Sequence, residues 1–162
     1  MPIAVGEKIP SVTLFEMGEA GPAAVSSDDV FGGKKVAVFG VPGAYTPTCS
    51  NKHVPSFVAN AEALKAKGVD EIVCLSVNDP FVMKNWGQAT GGADAGIRFI
   101  GDSKSELAEG MDIVMDGSAV GLVQRMLRFS AYVDDGVVKA MNIEGAPGEM
   151  DKTSAENLLT QI

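Results

Sequence analysis

The sequence predicts an α/β fold, a mixed central β-sheet with helices on both faces, and three observations predict it. Two short runs, Val36 to Gly40 and Glu71 to Val77, are almost wholly apolar and read as strands buried on both faces. Segments with helical spacing lie between and after them, so the order runs strand, helix, strand, helix. Two alternating stretches, Gln124 to Val133 and Val137 to Ile143, flank Asp134-Asp135-Gly136 and read as a β-hairpin, which adds antiparallel strands to a parallel set. No internal repeat, linker or low-complexity tract divides the chain, so residues 1–162 are expected to form one domain.

In order, residues 1–10 form a lead-in, Ser11 to Phe15 alternates like a short strand, and Gly18 to Pro22 reads as a turn. Ser27 to Phe31 opens one helical turn that Gly32-Gly33 stops. Gly32-Gly33-Lys34-Lys35 is only loosely like a phosphate loop, because it precedes a strand and no Ser or Thr follows the lysines. Beyond the first buried strand the chain turns through Val41 to Ser50. Phe57, Ala61 and Leu64 then recur at i, i+4, i+7, and Glu62, Lys65 and Lys67 fall off that stripe, which predicts a helix to Gly68. Pro55 must kink any helix that already starts near Cys49, since it removes an N–H and crowds the preceding turn. Asn78-Asp79-Pro80 caps a helix whose face carries Val82, Met83 and a core Trp86. Gly87 to Gly96 reads as a loop and Ile97 to Ile100 as a strand. Ser103 to Glu106 matches a capping box opening a helix to about Met111; Thr153 to Glu156 matches a second, before a closing helix with Leu158, Leu159 and Ile162.

With 162 residues, 46% hydrophobic and 21% charged, neither disorder nor a disulfide scaffold fits. Thirteen basic against twenty-one acidic residues give a net charge of −8, which repels phosphate backbones and anionic lipid and argues against nucleic-acid or membrane partners. No apolar run is long enough to span a bilayer. Two cysteines, and no charged-then-apolar signal in Met1 to Gly6, suit a reducing compartment and a cytoplasmic location.

The chemistry gathers at Cys49, where a strand turns into a helix. Unpaired N–H groups and the positive end of the helix dipole stabilise a thiolate there, and the thiolate is the nucleophile. Dithiol exchange would want Cys-x-x-Cys, but Ser50, Asn51 and Lys52 follow Cys49. Zinc would need about four ligands, more than two cysteines and one histidine supply at useful spacing, so neither metal nor other cofactor is expected. A cysteine hydrolase would need a histidine base. His53 is four residues on, a spacing that brings the ring near the sulfur, but local packing or capping beside Pro55 is the favoured reading.

Pro42, Thr46 and Cys49 stand in a Pro-x-x-x-Thr-x-x-Cys arrangement, and Pro-Gly-Ala-Tyr-Thr-Pro-Thr-Cys-Ser resembles the peroxiredoxins, in particular the type II, peroxiredoxin-5 branch. Cys74 to Val82, Trp86, Arg128-Phe129-Ser130 and Val133 to Asn142 extend the resemblance over nearly the whole chain. It implies a thioredoxin-like fold, thiol-dependent peroxidase activity toward hydrogen peroxide and alkyl hydroperoxides, antioxidant function and a homodimer, with Pro42 to Tyr45 and nearby loops as candidate contact surface. Cys49 would be the peroxidatic nucleophile, with Thr46 bonding sulfur and peroxide, Arg128 favouring thiolate and orienting peroxide, and Pro42 shielding the sulfur. By strand alternation alone Arg128 would face solvent, and Arg125 competes for the cationic role.

Oxidation leaves a sulfenic acid that must condense with a thiol. Glu144 to Ile162 holds no resolving cysteine. Cys74 matches a second cysteine of the plant-like branch, yet it lies mid-strand in an apolar run, so structural and resolving roles both stand. Otherwise glutathione with glutaredoxin, or thioredoxin, regenerates Cys49. A peroxide-sensing thiol switch acting through partner binding is the alternative function, and a catalytically silent interaction module is opposed by the intact Pro42, Thr46, Cys49 and Arg128.

Overall fold

The computed structural model covers residues 1–162. Strands β1 (Thr13–Gly18) and β2 (Gly21–Ser26) form a hairpin, α1 (Ser27–Phe31) follows, and β3 (Lys35–Val41) leads through a loop to a π-helical turn, Cys49–His53. Next come α2 (Val54–Ala59), α3 (Ala61–Ala66), β4 (Glu71–Ser76), α4 (Pro80–Ala89) and β5 (Ile97–Gly101). Helix α5 (Glu106–Gly110), the short strands β6 (Val114–Asp116) and β7 (Gln124–Met126), β8 (Phe129–Asp134), β9 (Val137–Ile143) and α6 (Ala155–Leu159) complete the chain.

The main sheet runs β2-β1-β5-β4-β3-β8-β9. Its centre, β3, β4 and β5, is parallel, and β1 and β8 attach antiparallel on either side. Val36, Val38, Val73 and Leu75 enter one core, where Val30 and Phe31 of α1 and Leu107 of α5 cover them. Ala37, Phe39, Ile72 and Cys74 enter the other, under Phe57 of α2, Leu64 of α3, Trp86 of α4 and Leu158 of α6. Burying one such large side chain stabilises by roughly 2 kcal/mol. Because both faces are covered, the central strands read as unbroken apolar runs. This is the mixed sheet with helices on both faces that the sequence predicts, and the fold is thioredoxin-like.

Local details differ from expectation. The turn expected at Gly18 to Pro22 is confined to two residues, and Gly21 begins β2, an edge strand where Pro22 sacrifices no central ladder bond. The helix expected to reach Gly68 breaks at Asn60, whose Nδ2 bonds back to Ser56 O at 2.8 Å, although the Phe57, Ala61 and Leu64 stripe stays buried. Helix α4 runs through Gly87, where a Cβ would stand 2.7 Å from the Phe99 ring. Neither capping box forms as read. Asp102 caps α5 through Leu107 N (3.1 Å) and Ala108 N (2.9 Å), and Ser154, not Thr153, caps α6 through Asn157 N (3.1 Å). Gln124 to Val133 is two strands, because β7 pairs with β6 while Leu127 N turns to Ile113 O at 2.7 Å. Arg128 falls in the break.

Candidate active site

Strand β3 ends at Val41, and Pro42 to Thr48 turn the chain back above the carboxyl ends of the parallel strands, where α/β sheets place ligands. A Cβ at Gly43 would lie 2.7 Å from Arg125 Nη1, so a side chain there would displace the end of that arginine. Tyr45 adopts φ 66°, in the left-handed region. The chain then enters its π turn, in which Val54 N–H donates to Cys49 O. Pro55 accounts for the wide turn: it has no N–H for Asn51 O, and its ring crowds a tighter helix. The expected kink is thus an enlarged first turn that carries Cys49 at its start.

Cys49 is fully buried. Thr46 Oγ1 stands 2.9 Å from its Sγ and 2.7 Å from Gly43 O, so one hydroxyl proton has two acceptors to choose between. Arg128 Nη2 donates to Sγ at 3.1 Å and to Pro147 O at 3.1 Å. Arg128 is 1% exposed, which corrects the solvent-facing placement that strand alternation implies: outside a strand, alternation does not govern it. Arg125 instead braces the loop, through Pro42 O at 3.2 Å and Leu122 O at 3.0 Å. A cleft of about 190 Å³ opens on Thr46 and Arg128, with Pro42, Leu122 and Pro147 among its walls.

His53 does more than pack beside Pro55. Its ring packs at a tilt against the stacked rings of Phe39 (4.8 Å) and Phe57 (5.6 Å), its Nδ1 is 2.9 Å from Arg128 Nη1, and its Nε2 is 2.9 Å from Thr153 O. A guanidinium only donates and a carbonyl only accepts, so Nδ1 carries the lone pair and Nε2 the proton. Burial and the neighbouring Arg128 lower the His53 pKa to about 3, the Thr153 carbonyl opposing them, and the ring is neutral. Its four-residue offset from Cys49 was the available signal. The loop Gly145 to Thr153, which supplies Pro147 O and Thr153 O, left none, because every residue carries a carbonyl.

Cys74 sits in mid-β4, between Phe39 of β3 and Phe99 of β5, fully buried. Both cysteines are free thiols. Burial, and then the proximity of Cys49, push the Cys74 thiol up, against the pull of Arg128. Trp86 is in the core as expected; its indole N–H donates to Ser50 Oγ at 3.0 Å, the residue after Cys49. No helix is long and apolar enough to cross a membrane.

A thioredoxin-like sheet presenting one buried cysteine between a threonine hydroxyl and a guanidinium defines a thiol-redox class of protein. The family model described as Redoxin matches residues 4–159. The chain belongs to the peroxiredoxin family of thiol peroxidases, in its type II branch. It is 45% identical to Peroxiredoxin-2B of Arabidopsis thaliana over 162 residues, 99% of each chain. With the mitochondrial Peroxiredoxin-2F of Oryza sativa it shares 48% identity over 134 residues, 83% of this chain and 67% of that one. The crystal structure of reduced Prx3 in complex with hydrogen peroxide from Vibrio vulnificus superposes with a TM-score of 0.90 at 39% identity, covering 98% of both chains.

Proposed function

We propose that the protein reduces hydrogen peroxide and alkyl hydroperoxides through Cys49. The observation that carries this reading is the convergence of Thr46 Oγ1 (2.9 Å) and Arg128 Nη2 (3.1 Å) on one buried sulfur. The thiolate attacks the terminal peroxide oxygen; an S–O bond forms, the O–O bond breaks, and Cys–S⁻ plus ROOH become Cys–SOH plus RO⁻. The departing oxygen gains charge as the sulfur loses it, so donors at this spot stabilise the transition state. Arg128 contributes a cation that cannot lose its proton, and Thr46 contributes a hydroxyl able to accept from the peroxide or donate to it. Pro42 walls the cleft and keeps bulk water off the sulfur. Hydrogen peroxide bound to the Vibrio relative supports the substrate, and the apolar cleft walls suit a short alkyl group as well.

A second thiol then displaces water from the sulfenic acid, and a further thiol releases Cys49 as a disulfide forms. Cys74 is structural in this reading: its backbone is locked by strands on both sides, and its raised pKa leaves little thiolate. Glutathione with glutaredoxin, or thioredoxin, supplies the reducing thiol, in a reducing compartment such as the cytoplasm. A homodimer completes the proposal, its contact formed by loops near the site where Tyr45 (58% exposed) and Val120 (77% exposed) present apolar surface to solvent.

Peroxide consumption with dithiothreitol should be fast in wild type and absent in Cys49→Ser; equal rates would sink the enzyme reading. One rapid oxidation without sustained turnover would instead mark a thiol switch. After one equivalent of peroxide, mass spectrometry with a sulfenic-acid trap should find the adduct in wild type and Cys74→Ser alike. Loss of two hydrogens in wild type alone would make Cys74 the resolving residue.

A further inference from the structure

Glu144 follows β9, is 2% exposed, and has no part in the chemistry above. Its N–H donates to Arg128 O at 3.0 Å, one step beyond the Phe129–Ile143 pair, so the two residues are cross-strand neighbours. Glu144 Oε2 accepts from Lys152 N (2.9 Å), Thr153 N (3.0 Å) and Thr153 Oγ1 (2.8 Å). Its Oε1 is buried without a partner, and so is Arg128 Nε. A buried carboxylate is costly, and apolar packing would hold a loop more cheaply.

From Glu144 an unbroken chain of hydrogen bonds leads to the sulfur. The carboxylate holds Thr153, Thr153 O accepts from His53 Nε2, His53 Nδ1 accepts from Arg128 Nη1, and Arg128 Nη2 donates to Cys49 Sγ. Each link has a direction. A carboxylate that only accepts draws the Thr153 N–H and O–H toward itself, and the carbonyl of Thr153 in turn keeps the proton on Nε2. The lone pair left on Nδ1 then receives the guanidinium. With the other tautomer, an Nδ1–H would face an arginine N–H, donor against donor.

We propose that Glu144 is a positioning residue for the reaction at Cys49: by pinning Thr153 it fixes the His53 tautomer, and through that ring the guanidinium plane of Arg128 against the sulfur. The inference rests on the peroxidase reading for its kinetic consequence, but the tautomer can be read without it. His53 is the only histidine, so its ¹⁵N shifts are resolved in a uniformly labelled sample. Wild type should show the Nε2–H form alone, and Glu144→Ala a mixture.

The kinetic test is a double-mutant cycle in the full chain, Glu144→Ala against Arg128→Lys, with rate constants for hydrogen peroxide and for iodoacetamide, which needs the thiolate but no oriented oxyanion. Glu144→Ala should slow peroxide about tenfold or more while alkylation changes far less, and the loss should vanish in the Arg128→Lys background. Equal losses in both backgrounds, parallel losses in both reactions, or an unchanged tautomer would overturn the proposal. If Glu144→Ala fails to fold, Glu144→Gln, which keeps the volume and one acceptor, and Thr153→Val carry the same cycle and spectrum. Failure of the peroxidase reading itself would appear separately, as equal peroxide consumption by wild type and Cys49→Ser.

Discussion

Thr46 is the residue on which two demands meet, since its hydroxyl is within bonding distance of both Gly43 O and Cys49 Sγ. Thr46→Val keeps the shape and removes the hydroxyl, and should lower kcat/KM for peroxide on the order of a hundredfold, with Thr46→Ser recovering most of it. Arg128→Lys keeps the charge but not the fork that serves Sγ, Pro147 O and His53 together, so a loss of on the order of a hundredfold or more is expected in the same assay. His53 gives a pH prediction. Its pKa is about 3 in the folded chain against 6.5 when unfolded, so below pH 6.5 only the unfolded state takes up the proton. Stability from this residue is complete above pH 6.5 and falls as pH drops, by up to about 1.4 kcal/mol per unit. Urea midpoints between pH 7 and 5 should fall in wild type, and His53→Gln should flatten that slope.

Among the elements, the π turn depends most on one residue. Pro55→Ala restores an N–H that Asn51 O can accept, and the turn should tighten toward α-helical pitch, drawing Cys49 away from Arg128. The gained bond offsets the lost rigidity of proline, so urea stability should change by less than about 1 kcal/mol. The peroxide rate should nevertheless fall about tenfold, because reacting groups misplaced by a fraction of an ångström lose their orientation. The sequence contains the cause but does not display the effect: Pro55 marks a disturbance, and whether a helix kinks or widens is decided by what packs around it. Capping shows the same limit. Ser103 and Thr153 match a pattern that Asp102 and Ser154 win, because the start of each short helix is settled by tertiary packing that local spacing does not record. Arg128 is the clearest case, since a ten-residue alternation concealed a change of sheet at Leu127.

At the scale of the molecule, the sheet was legible because strands covered on both faces must be apolar throughout, and Val36 to Gly40 and Ile72 to Leu75 could be little else. Cys49, Thr46 and Arg128 were legible as candidates through the resemblance that their motifs carry, and the structure adds that they meet at one sulfur. Glu144 and the loop to Thr153 were not, since they contribute backbone groups and a single carboxylate from a stretch without periodicity. Cys74 tests the rigidity of this whole. Held by a strand on each side, Cys74 is expected to stay a thiol, so the melting temperatures of wild type under oxidising and reducing conditions should agree within about 2 °C.

The indole of Trp86, hydrogen-bonded to Ser50 and set edge-on to Phe99 at 5.7 Å, gives the molecule its own optical gauge. The chain has one tryptophan, so emission excited at the red edge of its absorption, where the two tyrosines do not absorb, comes from a group bonded to Ser50, the residue after Cys49. Oxygen added to Cys49 must disturb Ser50, and with it the polarity that the indole N–H senses. Stopped-flow emission should therefore record the oxidation and the return of Cys49 as two separate phases of opposite sign, with no dye, no coupled reductase and no label on the thiol.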